Sequence, residues 1–297
     1  MKVEIVTVIV GISKDRGWVL DNFLEGVKFL FKKIDVNLNV VMSSVPSGTE
    51  WGNVPDCDYE EVHKTLELSE IPFKIWNESD FKANPQYNQI EDIKYPSTGE
   101  SHGKLLDKIF YHFSSNLKAD FLLLMDYDSF FDPSKINEFT DILRFSLNKN
   151  TVFGGVCEEI KVKEMYDDSH PVDYIMQSNK STLIEKGNRS IIYLPRIHPM
   201  FICFSKQALI NLVNNDNLHI YPLKTIGIFD KMNYILYGDC GVFLMNAINK
   251  KTGTTWILKS HEEMPVFHYN SMTLKVSHSE QQTKKDLTDI FKKLYDE

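Results

Sequence analysis

Residues 121–131 read FLLLMDYDSFF, and the way that stretch is parsed decides the fold. Five apolar residues, Phe121 to Met125, run directly into Asp126-Tyr127-Asp128. A short apolar run bounded like this fits a strand buried on both faces, as in a parallel sheet covered by helices. Such a strand delivers its two carboxylates to its carboxyl end, the edge where open α/β sheets place ligands. In an extended segment Asp126 and Asp128 point to one side and Tyr127 to the other. Both acids can then face one hard cation or one phosphate-bearing ligand. The same pair can equally cap the turn or helix that follows.

The flanking text alternates strand and helix. Residues 3–10, rich in Val and Ile, read as a strand ending at Gly11, and the loop Ser13-Lys14-Asp15-Arg16-Gly17 follows. Leu20, Phe23, Leu24, Val27, Leu30, Phe31 and Ile34 recur at helical spacing and predict a helix over one sheet face. A strand over 38–42, the Ser-, Pro- and Gly-rich loop SSVPSGTEWGN, a short helix over about 59–68 and a strand over 71–76 make the next unit. Residues 77–99 are polar and aperiodic, with Pro85 and Pro96, and read as a lid or an ordered excursion. Leu105, Leu106, Ile109, Phe110 and Phe113 mark an amphipathic helix feeding the acidic strand. After that strand, Asp132-Pro133 carries the cap-then-proline signature of a helix continued by Ile136, Phe139, Leu143 and Leu147.

Beyond residue 150 the pattern becomes mixed. VFGGVC, SIIYL and MFICF read as strands, and Ser205 caps a helix carrying Leu209, Leu212 and Val213. YGDCGVFLMNAINKKTG predicts a helix over about 239–249, followed by the strand TTWILK and the segment MPVFHYNSMT. Residues 280–297 form a charged terminal helix with Leu287, Ile290, Phe291 and Leu294 on one face. Docking of that face on the core is the default expectation, with membrane-surface contact through its lysines as the alternative.

Composition narrows the class. With 297 residues, 42% of them hydrophobic, the chain can bury the core of one large α/β domain. A formal charge of -8 argues against a non-specific nucleic-acid binder. Cys57, Cys157, Cys203 and Cys240 are too dispersed for a zinc site or a disulfide scaffold, and are expected to be reduced and mostly buried. The amino-terminal apolar run is interrupted by Glu4 and too short for a signal segment. No stretch approaches a membrane span, so the expectation is a soluble, cytoplasmic protein with at most peripheral membrane contact.

The segment HGKLLDKIFYHFSSNLKADFLLLMDYDSFFDPSKINEF resembles nucleotide-sugar-dependent glycosyltransferases of the GT-A fold, above all the inverting family 2. In that family a Gly-Lys-bearing helix precedes an apolar strand, a metal-binding Asp-x-Asp and a Pro-started helix. The resemblance is strongest over residues 102–140, weaker over 3–35 and only architectural over 150–270. It implies a Rossmann-like α/β domain over 1–270, with a mixed, mostly parallel sheet flanked by helices. Residues 1–130 or so would bind the nucleotide, about 131–270 would face the acceptor, and 271–297 would form a helical tail.

The activity so implied transfers a sugar from a nucleoside-diphosphate-sugar to a hydroxyl of a glycan, lipid-linked or protein acceptor, with Mn2+ or Mg2+ as cofactor. A divalent cation suits that chemistry because negative charge grows on the phosphate oxygen as the anomeric bond breaks. By the same resemblance Asp128 is the direct metal ligand, and Asp126 bonds the ribose or reaches the metal through water. His268 is the third metal ligand, with His261 as the second choice. Lys104 neutralises phosphate or is simply an exposed helix lysine. Asp239, after Gly238, is the general base or a helix N-cap. His198 is placed among acceptor or donor-sugar contacts, and Asp15 and Arg16 near the nucleoside.

One departure concerns the base. Where many members carry an acidic residue after the second strand, this chain has Met42-Ser43-Ser44. Three other readings compete. The first is a haloacid-dehalogenase-type phosphatase with Asp126 as nucleophile, although its motif normally opens the domain. The second is a nucleotidyltransferase, whose glycine-rich first loop is missing from GISKDRGW. The third is a binding protein that kept the fold and lost turnover.

Overall fold

The computed structural model describes residues 1–10, 17–43, 59–83, 85, 98–157, 182–186, 189–193, 196–214, 253–260, 263–269 and 278–296. At 98–104, 156–157, 182–186, 189–193, 196–199, 256, 278, 280–281 and 296 it describes the backbone alone.

Three strands and two helices open the chain: β1 (Lys2–Ile9), α1 (Gly17–Phe31), β2 (Asp35–Met42), α2 (Tyr59–Leu68) and β3 (Phe73–Asn77). The strands pair in parallel, β1 with β2 from Lys2↔Asp35 to Ile9↔Met42, and β2 with β3 from Leu38↔Phe73 to Met42↔Asn77. Helix α3 (Thr98–Asn116) leads into β4 (Phe121–Met125), which lies parallel to β1 on its other side. There follow β5 (Ser129–Phe131), α4 (Ile136–Ser146), β6 (Thr151–Cys157) and the antiparallel pair β7 (Thr182–Lys186) and β8 (Arg189–Tyr193). The remaining elements are β9 (Arg196–Ser205), α5 (Lys206–Val213), β10 (Thr255–Ser260), β11 (Val266–His268) and α6 (His278–Asp296).

The main sheet has seven strands in the order β10-β6-β9-β4-β1-β2-β3. Among the described strands of this sheet, β9 is antiparallel to both β4 and β6, while the other pairings are parallel. This mixed, mostly parallel sheet between helices is the architecture implied by the GT-A resemblance.

Period-two alternation divides the core between the two sheet faces. On β4, Phe121, Leu123 and Met125 join a cluster with α1, α2 and α4, while Leu122 and Leu124 join one with α3 and α5. All five are buried, and each such side chain contributes about 1.5–3 kcal/mol by leaving water. At the end of β9, Ser205 turns the chain into α5, and its Oγ accepts from Ala208 N at 3.3 Å. That is the cap expected from the sequence.

Beyond the carboxyl end of β4 sits a second, smaller sheet. Strands β5 and β11 pair antiparallel, with Val266↔Phe131, Phe267↔Phe130 and His268↔Ser129. Backbone bonds from Asp132 N to Pro265 O (2.8 Å) and from Tyr269 N to Asp128 O (2.9 Å) extend the ladder at both ends. Helix α1 approaches this ribbon so closely that a Cβ on Gly26 would stand 2.9 Å from Phe131 N. Helix α6 covers it from another side. The Tyr295 hydroxyl donates to Phe131 O, the hydroxyls of Tyr269 and Thr288 share a hydrogen bond, and Phe291 packs on Phe130 and Phe267.

Two sequence expectations shift. Asp132-Pro133 opens a turn and not the helix itself. Asp132 Oδ1 accepts from Ser134 N (3.0 Å) and Ser134 Oγ (2.6 Å), Lys135 N bonds Asp132 O, and α4 starts only at Ile136. On α6 the docking face is Thr288, Phe291 and Tyr295, while Leu287, Ile290 and Leu294 are exposed. The helix rotates toward the residues whose hydroxyls bond the ribbon. Of the aperiodic stretch 77–99, a single turn of 3-10 helix at Glu78–Asp80 follows β3, and most of the remainder lies outside the described residues, as does the helix expected over 239–249. No helix among the described residues is long and apolar enough to cross a membrane.

Candidate metal centre

The acidic pair is set by a turn and not by strand pleating. Asp126 N bonds Met200 O at 2.9 Å, carrying the β4–β9 ladder one step past Met125, and Ser129 N then closes back on Asp126 O at 3.0 Å. Tyr127, buried in the core shared with α1 and α4, anchors the turn from below. The two acids therefore share a side as expected, but a four-residue turn brings them there. The difference was invisible to alternation counting, because both geometries leave the central Tyr opposed to its neighbours.

His268 arrives from β11. Its register opposite Ser129 brings Nε2 to 3.2 Å from Asp128 Oδ1 and 3.7 Å from Asp126 Oδ2. One ligand atom from each of the three residues lies within 4.8 Å of the others. The side chains of Asp128 and His268 are each 9% exposed, whereas that of Asp126 is 32% exposed, so the cluster opens to solvent on the Asp126 side.

Electrostatics place a cost on the acidic pair that His268 offsets only in part. Burial, and then the adjacent Asp128 charge, push the Asp126 carboxyl up to about 6, with His268 pulling the other way. Two carboxylates converging in a poorly solvated site repel one another, and a dication relieves both costs at once. Two carboxylate oxygens and one imidazole nitrogen form a donor set suited to a hard or borderline divalent metal. The residues present thus fit the cation that the resemblance implies.

The fold is GT-A-like. The mixed, mostly parallel sheet flanked by helices and the two carboxylates just past the end of β4 carry that statement.

No protein-family model and no curated protein matches the sequence. Among solved structures the chain is similar to mouse xyloside xylosyltransferase 1 in its apo form, at 11% identity and a TM-score of 0.48, covering 92% of this chain and 99% of that one. It is similar to the galactosyltransferase LgtC in complex with donor and acceptor sugar analogs, at 9% identity and a TM-score of 0.44, covering 98% and 95%. A CMP:2-keto-3-deoxy-manno-octonic acid synthetase complexed with CTP also matches, at 11% identity and a TM-score of 0.42, covering 98% and 99%.

The other residues singled out from sequence are placed less fully. Lys104 lies on α3 and His198 on β9, both described by backbone alone, while Asp15, Arg16, Asp239 and His261 lie outside the described residues. Trp18 is half-buried at the start of α1 and meets Tyr269 edge-on with ring centroids 6.1 Å apart.

Two groupings at this sheet edge escaped the sequence reading. Ser43, where an acid was missing after β2, donates through Oγ to Glu78 Oε2 at 3.2 Å, and Lys108 Nζ bonds Glu78 Oε1 at 3.3 Å. The turn after the neighbouring strand β3 thus supplies an acid beside the end of β2. Its place depends on the register Met42↔Asn77, which no local sequence pattern contains. The second grouping is the set of contacts from α6 to the ribbon, whose components lie too far apart in the chain for any local pattern to pair them.

Proposed function

We propose that the protein is a divalent-metal-dependent glycosyltransferase that moves a sugar from a nucleoside-diphosphate-sugar to an acceptor hydroxyl with inversion. The observation that carries this reading is the convergence of Asp126, Asp128 and His268 at the carboxyl end of the central strand of a GT-A-like sheet. On this reading those three residues hold Mn2+ or Mg2+, residues 1–130 or so bind the nucleotide, and about 131–270 face the acceptor. A bound cation supplies positive charge to the diphosphate as it leaves. The chain's own groups do the rest.

Asp239 takes the proton of the acceptor hydroxyl as that oxygen bonds the anomeric carbon and the bond from that carbon to the diphosphate oxygen breaks. Lys104 balances charge on the departing diphosphate. Asp15 and Arg16 contact the nucleoside, and His198 contacts a sugar. A glycan, a lipid-linked saccharide or a protein side chain is the acceptor class.

A thermal-shift screen of nucleotide sugars with and without Mn2+ tests the reading. A ligand that binds only the folded state raises its stability by mass action, about 2.7 kcal/mol at a hundredfold excess over Kd, and the melting temperature rises with it. The expected result is a shift with one nucleotide sugar that requires the metal. Metal-dependent release of inorganic phosphate from phosphate esters would assign Asp126 to a phosphatase instead. Nucleotide binding without transfer to any acceptor class would leave a binding protein.

A further inference from the structure

The ribbon that carries the metal-site residues is too small to hold its own shape. Strands β5 and β11 have three residues each, and an isolated two-stranded ribbon is marginal in water. Yet His268 stands on one strand, and Asp128 immediately precedes the other.

One face of α6 grips both strands. Thr288, Phe291 and Tyr295 follow helical spacing and project to the same side. Thr288 Oγ1 donates to Lys284 O at 2.8 Å, so in its contact with Tyr269, the residue after His268, it is the acceptor. Tyr295 donates to Phe131 O at the far end of β5. Between these bonds the Phe291 ring lies 4.4 Å from that of Phe267 and 5.3 Å from that of Phe130, centroid to centroid. Thr288 is fully buried and Tyr295 is 5% exposed, so neither hydroxyl has water as an alternative partner.

We propose that α6 is a clamp that sets His268 against Asp126 and Asp128, with Thr288 and Tyr295 as its positioning residues. The clamp itself rests on geometry alone, and its effect on metal affinity rests on the function proposed above. Ligand positions must hold within about half an ångström for a site to keep its affinity. A helix fixed to both strands provides that constraint, and loss of either hydroxyl bond frees one strand.

The test uses the full chain with Thr288→Val and Tyr295→Phe, made separately, each removing a hydroxyl at nearly constant volume. Mn2+ alone is titrated by calorimetry well below the melting temperature, and exchange of the Tyr269 and Asp132 amides is followed without metal. We expect Mn2+ affinity to fall about tenfold in each variant, the scale of an outer-shell partner, and both amides to exchange faster. Leu287→Ser, on the exposed face of the same helix, should change neither. In a His268→Ala background Thr288→Val should no longer alter the residual affinity, because it acts through His268, whereas Tyr295→Phe, which frees the strand after Asp128, should still lower it.

Unchanged affinity and unchanged amide exchange in the otherwise native chain would overturn the clamp. So would an equal loss of affinity for Thr288→Val with and without His268, which would mark a general structural effect. If the native chain takes up no Mn2+ while the two amides still respond, the metal reading fails and the clamp stands.

Discussion

His268 Nε2 lies 3.2 Å from Asp128 Oδ1, joining a strand late in the chain to the turn that ends the central strand. No local sequence relation links the two residues. The contact exists because β11 returns antiparallel to β5 in a register that seats His268 opposite Ser129. At that distance the imidazole and the carboxylate partly compensate each other, and a shared cation would balance the charge that the second carboxylate, Asp126, adds beside them.

Replacing Asp128 with Asn should therefore separate metal binding from folding. The substitution keeps the shape, removes one ligand charge and relieves the repulsion acting on Asp126. We expect Mn2+ affinity to drop by about two orders of magnitude or more, beyond what an outer-shell partner contributes. At pH 7.5 without metal the variant should melt at or above the native temperature. Calorimetric titration and a melting curve check the two halves. Undiminished Mn2+ affinity would remove Asp128 from the site.

The Asp126 carboxyl, raised to about 6 by burial and by Asp128, gives a pH signature of known sign. Its folded value lies above the ordinary 3.8, so the folded state binds this proton more tightly than the unfolded chain. In metal-free protein its contribution to stability is fully present below pH 4 or so and is lost as pH rises through about 6. The native melting temperature minus that of Asp126→Asn should accordingly fall across that window. Mn2+ must displace the same proton, so its stabilising effect should be larger at pH 7.5 than at pH 5. A difference curve that is flat between pH 4 and 7 would remove Asp126 from the coupled pair.

The large elements were legible because each carries a strong period. The boundaries of α2, Tyr59–Leu68, match the expected helix, and FLLLM proved to be a strand buried on both faces. The ribbon was not legible, since three residues per strand show no period at all. The docking face of α6 was misread for a physical reason. Counting apolar side chains selects Leu287, Ile290, Phe291 and Leu294, of which only Phe291 docks, flanked by Thr288 and Tyr295, polar residues whose hydroxyls bond Tyr269 and Phe131. At the site itself, the Asp126–Asp128 pair and His268 were singled out from the sequence. Their convergence depends on a turn and a strand register that no one-dimensional pattern contains.

Gly26→Ala opposes two effects of similar kind. Alanine in a helix interior is favoured over glycine by up to about 1 kcal/mol. Here, however, its Cβ would stand 2.9 Å from Phe131 N, a backbone atom that cannot swing aside. Forcing the ribbon outward costs about 1–3 kcal/mol, so we expect net destabilisation, read as a lower urea midpoint. Mn2+ affinity should fall with it, since Phe131 belongs to the strand that follows Asp128. A raised midpoint would show that α1 does not constrain the ribbon.

Asp239→Asn tests the chemical step apart from the metal. The substitution leaves a side chain able to accept and donate hydrogen bonds but unable to take a proton at neutral pH. A general base contributes about a hundred- to ten-thousandfold to a rate, so transfer should fall by at least two orders of magnitude. The thermal shift produced by nucleotide sugar with Mn2+ should persist, because donor binding does not need the base. The anomeric configuration of the native product, read by NMR, checks the same assignment. A base that deprotonates the acceptor on the face opposite the leaving diphosphate gives inversion. Retention of configuration, or full transfer by the Asn variant, would move the base away from Asp239.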